Sequence, residues 1–324
     1  MTDLLSNYWV LMPLKAVAVL AVFLVFPLVV GYMEHKVMAH MQARLGPMEA
    51  GRFHGWLQLV ADGIKFVQKE LVVPKAADRW VFLLAPGVAI IPAILVFGFI
   101  PYGEGLVPIR SDVGLFVFLA LSSVSVIGIL MAAWSSSNKY SLMGGIRAAA
   151  QLIAYELPLI LAAAAVAMQA GSADLAVIAE RQATVPYIVY PWHIVGFVVF
   201  GIAALAELQR PPFDMPIADS ELVFGHLTEY TGLRFAFFLL TEYAGIVSMS
   251  ALMATLYLGG WQGPIVDGPW WLAIKVFALA FVVVWLRSTY PRLREDQLQT
   301  FAWVRLVPLS LVLILVVGAW KVMV

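Results

Sequence analysis

Apolar residues in this chain come in nearly unbroken runs, separated by polar stretches that hold most of the charge. The runs lie near 12–33, 79–100, 113–133, 147–169, 192–208, 235–258, 270–287 and 303–324. Runs of about 20 apolar residues match the ~30 Å hydrocarbon core of a bilayer. Backbone groups in lipid must find their partners within the segment, so each run reads as a helix. The pattern predicts an all-α integral membrane protein with eight transmembrane helices, forming a single polytopic domain over 1–324. Met12–Met33 is too long for the core of a signal peptide and no small-residue cleavage site follows it, so it reads as a retained first span.

One segment between runs has a different period. "GRFHGWLQLVADGIKFVQKE" (51–70) places Phe53, Trp56, Leu57, Val60, Ile64 and Val67 at helical spacing, with Asp62, Lys65 and Lys69 on the other side. It predicts an amphipathic helix, either lying at the membrane surface or docked on the spans. Most of the 20 Lys and Arg fall in the odd-numbered loops, whereas the even loops hold only Arg110 and Arg181. By the positive-inside rule the odd loops face the cytoplasm, and an even span count puts both termini on the far side.

Composition agrees with this picture. The chain is 62% hydrophobic and 12% charged, about half the charge of a globular domain. It has no Cys, which excludes a disulfide framework and Cys-ligated zinc or iron–sulfur sites in this chain. The five His (35, 40, 54, 193 and 226) offer no pair at i, i+4 on one helix for a metal.

The informative residues are those that break the apolar runs. Glu156 sits in the fourth run, Glu207 closes the fifth, Glu242 lies in the sixth and Lys275 in the seventh. Charges at such depth are costly and usually face a bundle interior or a wet cavity. A desolvated carboxyl exchanges a proton nearer neutral pH than one in water, so several within reach of each other form a possible relay. The bland alternative is that each pairs with a cation and holds helices together. Between the fifth and sixth runs, "RPPFDMPIADSELVFGHLTEY" (210–230) gathers Asp214, Asp219, Glu221 and Glu229. Its prolines at 211, 212 and 216 preclude regular helix across 209–216, and Asp214 is placed to cap a short helix beginning near Pro216. Its interleaved Phe213, Ile217, Leu222, Val223, Phe224 and Leu227 predict a packed loop instead of a solvated one.

Five stretches in order resemble one family, the H subunits of the proton-translocating NADH-quinone oxidoreductases (respiratory complex I). They are "EHKVMAHMQARLGP" (34–47), "LQLVADGIKFVQKE" (57–70), "RAAAQLIAYELPL" (147–159), the 210–230 loop with "RFAFFLLTEYAGI" (234–246), and "LRSTYPRLREDQL" (286–298). The resemblance implies an eight-span component in a bacterial plasma membrane with both termini on the periplasmic side, not catalytic alone. Its substrate would be a quinone, ubiquinone or menaquinone, with flavin, iron–sulfur clusters and the NADH site held by hydrophilic partner subunits and no metal in this chain. Small membrane subunits, antiporter-like subunits and lipid complete the expected partners; nucleic acid is not among them.

Carried over by position, the implied proton path comprises Glu156, Glu207, Asp214, Asp219, Glu221, Glu229 and Glu242, with Tyr155 as a hydrogen-bond donor. The implied quinone chamber comprises Glu34, His35, Lys36, Arg44, Asp62, Arg210, Phe213, Phe224 and Arg287. For Arg292 and Arg294 the family role competes with simple positive-inside anchoring. Three departures from the family stand out: His35 in place of an Arg, Ile217 in place of the first of three alternating Glu, and "GPMEAG" in place of a Gly-Pro-Asn turn. Two other classes use similar residues. A secondary transporter would show inverted repeats, which are not visible here. A related membrane dehydrogenase or hydrogenase fed by another electron donor would differ in its neighbouring genes.

Overall fold

The computed structural model describes residues 8–264 and 266–323, apart from the side chains of Tyr8, Val10, Asp219 and Ser220. The described residues are helical, with no strand. In chain order the helices are α1 (Tyr8–Met41), α2 (Gln58–Gln68), α3 (Arg79–Phe99), α4 (Gly114–Ser135), α5 (Lys139–Ala170) and α6 (Leu175–Glu180). They continue with α7 (Pro191–Glu207), α8 (Asp219–Leu222), α9 (Gly232–Tyr257), α10 (Pro269–Thr289), α11 (Glu295–Thr300) and α12 (Val307–Met323).

Among the described residues, seven helical stretches are long and apolar enough to cross a membrane: Leu11–Met41, α3, α4, α5, α9, α10 and the continuous Glu295–Met323. The remaining apolar run, the fifth (192–208), forms α7, which has only 17 residues. Its limits have local causes. Pro191 occupies the first turn, where its missing N–H is not needed. At the other end Gln209 takes φ 52, and Pro211 disfavours the helical conformation for Arg210.

Several helices overrun the apolar runs that predict them. α1 continues about two turns past residue 33 because Glu34 is buried against partners rather than left in lipid. α5 starts about two turns early, where the Asn138 side chain accepts a bond from the Tyr140 amide at 2.9 Å and caps the helix. The last span begins at Glu295 and passes through a π-helical turn, Phe301–Leu306. Pro308 follows at once and has no N–H for the carbonyl of Val304.

The core lies around α5 and α9. α5 buries Ala154, Ala162, Ala163, Ala165 and Val166, small side chains that let neighbouring helices approach closely. At the α3–α4 crossing a Cβ on Gly128 would sit 2.6 Å from the Ala89 nitrogen, so only glycine fits. Lys275 closes one end of the bundle: its Nζ donates to the carbonyls of Leu258 (2.6 Å), Gly260 (2.9 Å) and Gln262 (2.6 Å). That ammonium satisfies carbonyls beyond the C-terminus of α9, where positive charge is favoured.

Candidate functional site

α1, α9, α10 and the segment after α7 converge on a buried charge cluster. Arg210 is 3% exposed and Glu34 2%. The Arg210 Nη1 donates to both Glu34 oxygens at 3.1 Å. Arg287 also donates to Glu34 Oε1 through its Nη1. Arg210 Nε lies 2.9 Å from Glu242 Oε1, an ion-pair contact without hydrogen-bond alignment. The Arg210 guanidinium stacks over Tyr243 with its Cζ 4.9 Å from the ring centroid. Two carboxylates and two guanidinia cancel in charge, the condition under which burial is tolerated.

Beside it a cavity of about 100 Å³ is lined by Glu207 and Glu242, with Ser122, Ser125, Thr241, Ser248, Gln209 and His226. Its size and polar lining have room for several waters. Glu207 Oε2 is buried there without a protein partner. The other intramembrane carboxylate, Glu156, accepts a 2.5 Å hydrogen bond from Ser123 of α4. Adjacent serines of α4 therefore reach toward two different carboxyl environments. Ile217 lines the same cavity as Glu207 and Glu242, so its apolar side chain borders the cavity that these carboxylates share.

The loop acids are paired. Arg292 Nη2 donates to Asp214 Oδ2 at 2.8 Å, and Arg147 Nη1 to Glu221 Oε2 at 2.7 Å. Arg147 also lies 3.6 Å from Glu295. Asn138 Nδ2 donates to Glu229 Oε1 at 2.7 Å, while its other side-chain atom caps α5. The side chain of Asp219 lies outside the described residues. Tyr155 is buried, and its hydroxyl donates to the Leu298 carbonyl at 3.0 Å rather than to a carboxylate. Its ring meets Phe213 edge-on, centroids 5.2 Å apart.

The remaining chamber residues scatter along the loops. The Lys36 ammonium holds the 45–48 turn, donating to the carbonyls of Pro47 and Leu45, the latter at 3.3 Å. Arg44 is exposed and donates to Gln42 at 2.8 Å. Asp62 on α2 accepts from Gln58 at 3.0 Å and pairs with Lys65 at 3.4 Å. His35 keeps a buried Nδ1 without a partner. Phe224 is exposed, 5.9 Å from the Phe235 ring. Glu34, Arg210, Glu242 and Arg287 thus come together, whereas Arg44, Asp62 and Phe224 stand apart.

Sequence reasoning passed over Ser122, Ser123, Gln151, Tyr243 and His226. Gln151 is buried, and its amide donates to the carbonyls of Ala206 (2.6 Å) and Phe213 (2.8 Å), pinning the 208–218 segment to α5. The signal was available, since a buried amide or hydroxyl in an apolar run must have a partner to hold.

A bundle of apolar helices that buries guanidinia and carboxylates around a polar cavity defines a class: a polytopic membrane protein with ionisable groups inside the bundle. The chain belongs to the NADH dehydrogenase family, whose model matches residues 14–318. It is 46% identical over 315 residues to the second NADH-quinone oxidoreductase H subunit of Syntrophobacter fumaroxidans, covering 94% of each chain. The H subunit of the corresponding enzyme of Dehalococcoides mccartyi is 42% identical over 320 residues, covering 99% of this chain and 89% of its own. That of Geobacillus kaustophilus is 45% identical over 299 residues, covering 89% and 88%.

Proposed function

We propose that this chain is the membrane-embedded H subunit of a proton-pumping NADH-quinone oxidoreductase. In this reading it walls the chamber through which quinone reaches the hydrophilic arm, and it links quinone reduction to proton movement through buried carboxylates. The observation that carries the reading is the neutralised Glu34–Arg210–Glu242–Arg287 cluster beside a polar cavity that also reaches Glu207. Reduction of a quinone to a quinol takes up two electrons and two protons. Electrons come from partner subunits, and this chain contributes charge and proton-exchanging groups. A change of charge in the chamber alters the field at Glu34 and Arg210, and the shared cavity carries that change to Glu242 and Glu207. Glu156 and Glu229 extend the path on either side. The exposed Val60, Ile64 and Val67 of α2 support a place for it along the membrane surface, and α7, fifth in chain order, completes the eight spans, with the odd loops cytoplasmic.

The test is coupled quinone reductase activity in membranes. Glu156→Gln and Glu229→Gln should each lower proton pumping about tenfold or more while the complex still assembles, on the scale of losing one proton-transfer group. Wild-type pumping in both variants defeats the carboxylate path.

A further inference from the structure

At the opposite end of α1 from Glu34, a cavity of about 430 Å³ opens between α1, the end of α3, the 100–108 loop, α9 and the start of α10. Val19, Val22, Phe26, Ile100, Leu272 and Val276 make its walls. Two polar side chains join them. The Tyr102 hydroxyl is occupied by the Phe97 carbonyl at 3.0 Å. The Lys15 ammonium makes only a long contact, 3.4 Å, to the Pro108 carbonyl, and among the described residues no carboxylate pairs with it. Glu104, in the same loop, is exposed and does not line the cavity.

The position of Lys15 gives the cavity a direction. It lies near the start of α1, level with the end of α3 and the beginning of α10, where helices leave the apolar layer. From there the cavity runs down α1 to Phe26, which is stacked on Phe277 with centroids 5.5 Å apart. Eleven residues of helix rise roughly 16 Å, about the depth of one leaflet of a ~30 Å hydrocarbon core. A cation at the interfacial rim above an apolar slot one leaflet deep matches a molecule with an anionic head and an alkyl tail.

We propose that this cavity binds one acyl chain of an anionic phospholipid, with the headgroup phosphate paired to Lys15. The site is distinct from the Glu34 cluster and does not depend on the quinone role. A quinone tail would fill the slot but leave Lys15 without a counter-charge, and a helix of a neighbouring subunit would bring its own side chains.

The assembled complex, washed with mixed micelles holding equal phosphatidylglycerol and phosphatidylcholine, should retain phosphatidylglycerol on this chain when released into a native mass spectrometer. Lys15→Gln should lower the retained phosphatidylglycerol-to-phosphatidylcholine ratio about fivefold, the effect of one interfacial cation, while Lys15→Arg keeps it. Ala273→Phe, which fills the slot, should remove bound lipid of both kinds. An unchanged ratio in Lys15→Gln overturns the proposal. So does quinone in place of phospholipid on the released chain, or efficient cross-linking of Ala18→Cys to a helix of another subunit.

Discussion

Arg210 and Arg287 both hold Glu34, yet they differ in what surrounds them. The Arg210 side chain is 4% exposed and Arg287 34%. Removing one partner of a buried pair leaves an uncompensated charge and costs about 3–5 kcal/mol; loss of Arg287 costs less, because Glu34 keeps Arg210 as a partner. Arg210→Gln should therefore destabilise the protein strongly and Arg287→Gln weakly, read as thermal aggregation of the complex in membranes; equal losses would mean that the cluster is held by something other than the Arg210 ion pairs. His226 offers a second test at this scale. Burial in the loop, against the Phe238 ring at 5.8 Å, pushes it down from 6.5 to about 4. The unfolded loop takes up a proton below pH 6.5 and the folded one only near pH 4. Stability of this segment is thus complete above pH 6.5 and falls as pH drops toward about 4, by up to ~3 kcal/mol. Protection factors of the 209–231 amides, taken against the intrinsic exchange rate at each pH, should fall across that window, and His226→Phe should flatten the response.

Among the elements, the loop between α7 and α9 owes its shape to contacts that leave no room for side chains. A Cβ on Gly144 of α5 would lie 2.8 Å from both the Gly225 Cα and the Pro216 carbonyl oxygen. Gly225 itself has φ +54, and its Cβ would collide with that same carbonyl. Gly144→Leu should lift the loop from α5 and break the Gln151 bonds to Ala206 and Phe213. Overpacking of this kind costs about 1–3 kcal/mol, so protease sensitivity within 209–231 should rise while the spans stay intact. How much of this was legible in the sequence follows from range. The apolar runs located the long helices because a span is a local property of about 20 residues. The packed character of the acidic loop was legible only in part, from prolines and interleaved apolar residues: Phe213, Leu222 and Leu227 are buried, whereas Val223 and Phe224, read as packed too, are exposed where the chain turns outward. The pairing of Glu34 with Arg210 and Arg287 was not, since it joins residues far apart in the chain and depends on how spans pack. For the same reason Lys275, ambiguous in the sequence, resolves into a cap on the end of α9 only when the carbonyls of Leu258, Gly260 and Gln262 are seen around it. Lys275→Met leaves those carbonyls unpaired and should cost about 1–3 kcal/mol, measured as a lower midpoint of thermal inactivation.

At the scale of the whole molecule, topology turns on α7. Among the described residues seven helices are long and apolar enough to cross by themselves, and a seven-span chain would put its termini on opposite sides. The 17 residues of α7 rise about 25 Å, short of the ~30 Å core but inside the range of natural spans. Bilayers thin locally around short spans at small cost, and Trp192 near its start is suited to the interface. The ion pairs of the 210–230 loop favour a crossing. Glu221 binds Arg147 and Asp214 binds Arg292, which ties the segment after α7 to the N-terminal third of α5 and to a residue just past the end of α10. Because the chain has no Cys, single cysteines report sidedness on the isolated labelled chain without background from its own residues. Thr184→Cys before α7 and Val223→Cys after it, both at exposed positions, should react with a membrane-impermeant maleimide from opposite faces of sealed vesicles. Val223→Cys should share its face with Lys75→Cys, and Thr184→Cys with Glu104→Cys. Labelling of Thr184→Cys and Val223→Cys from the same face would make α7 a re-entrant helix and remove the eighth span.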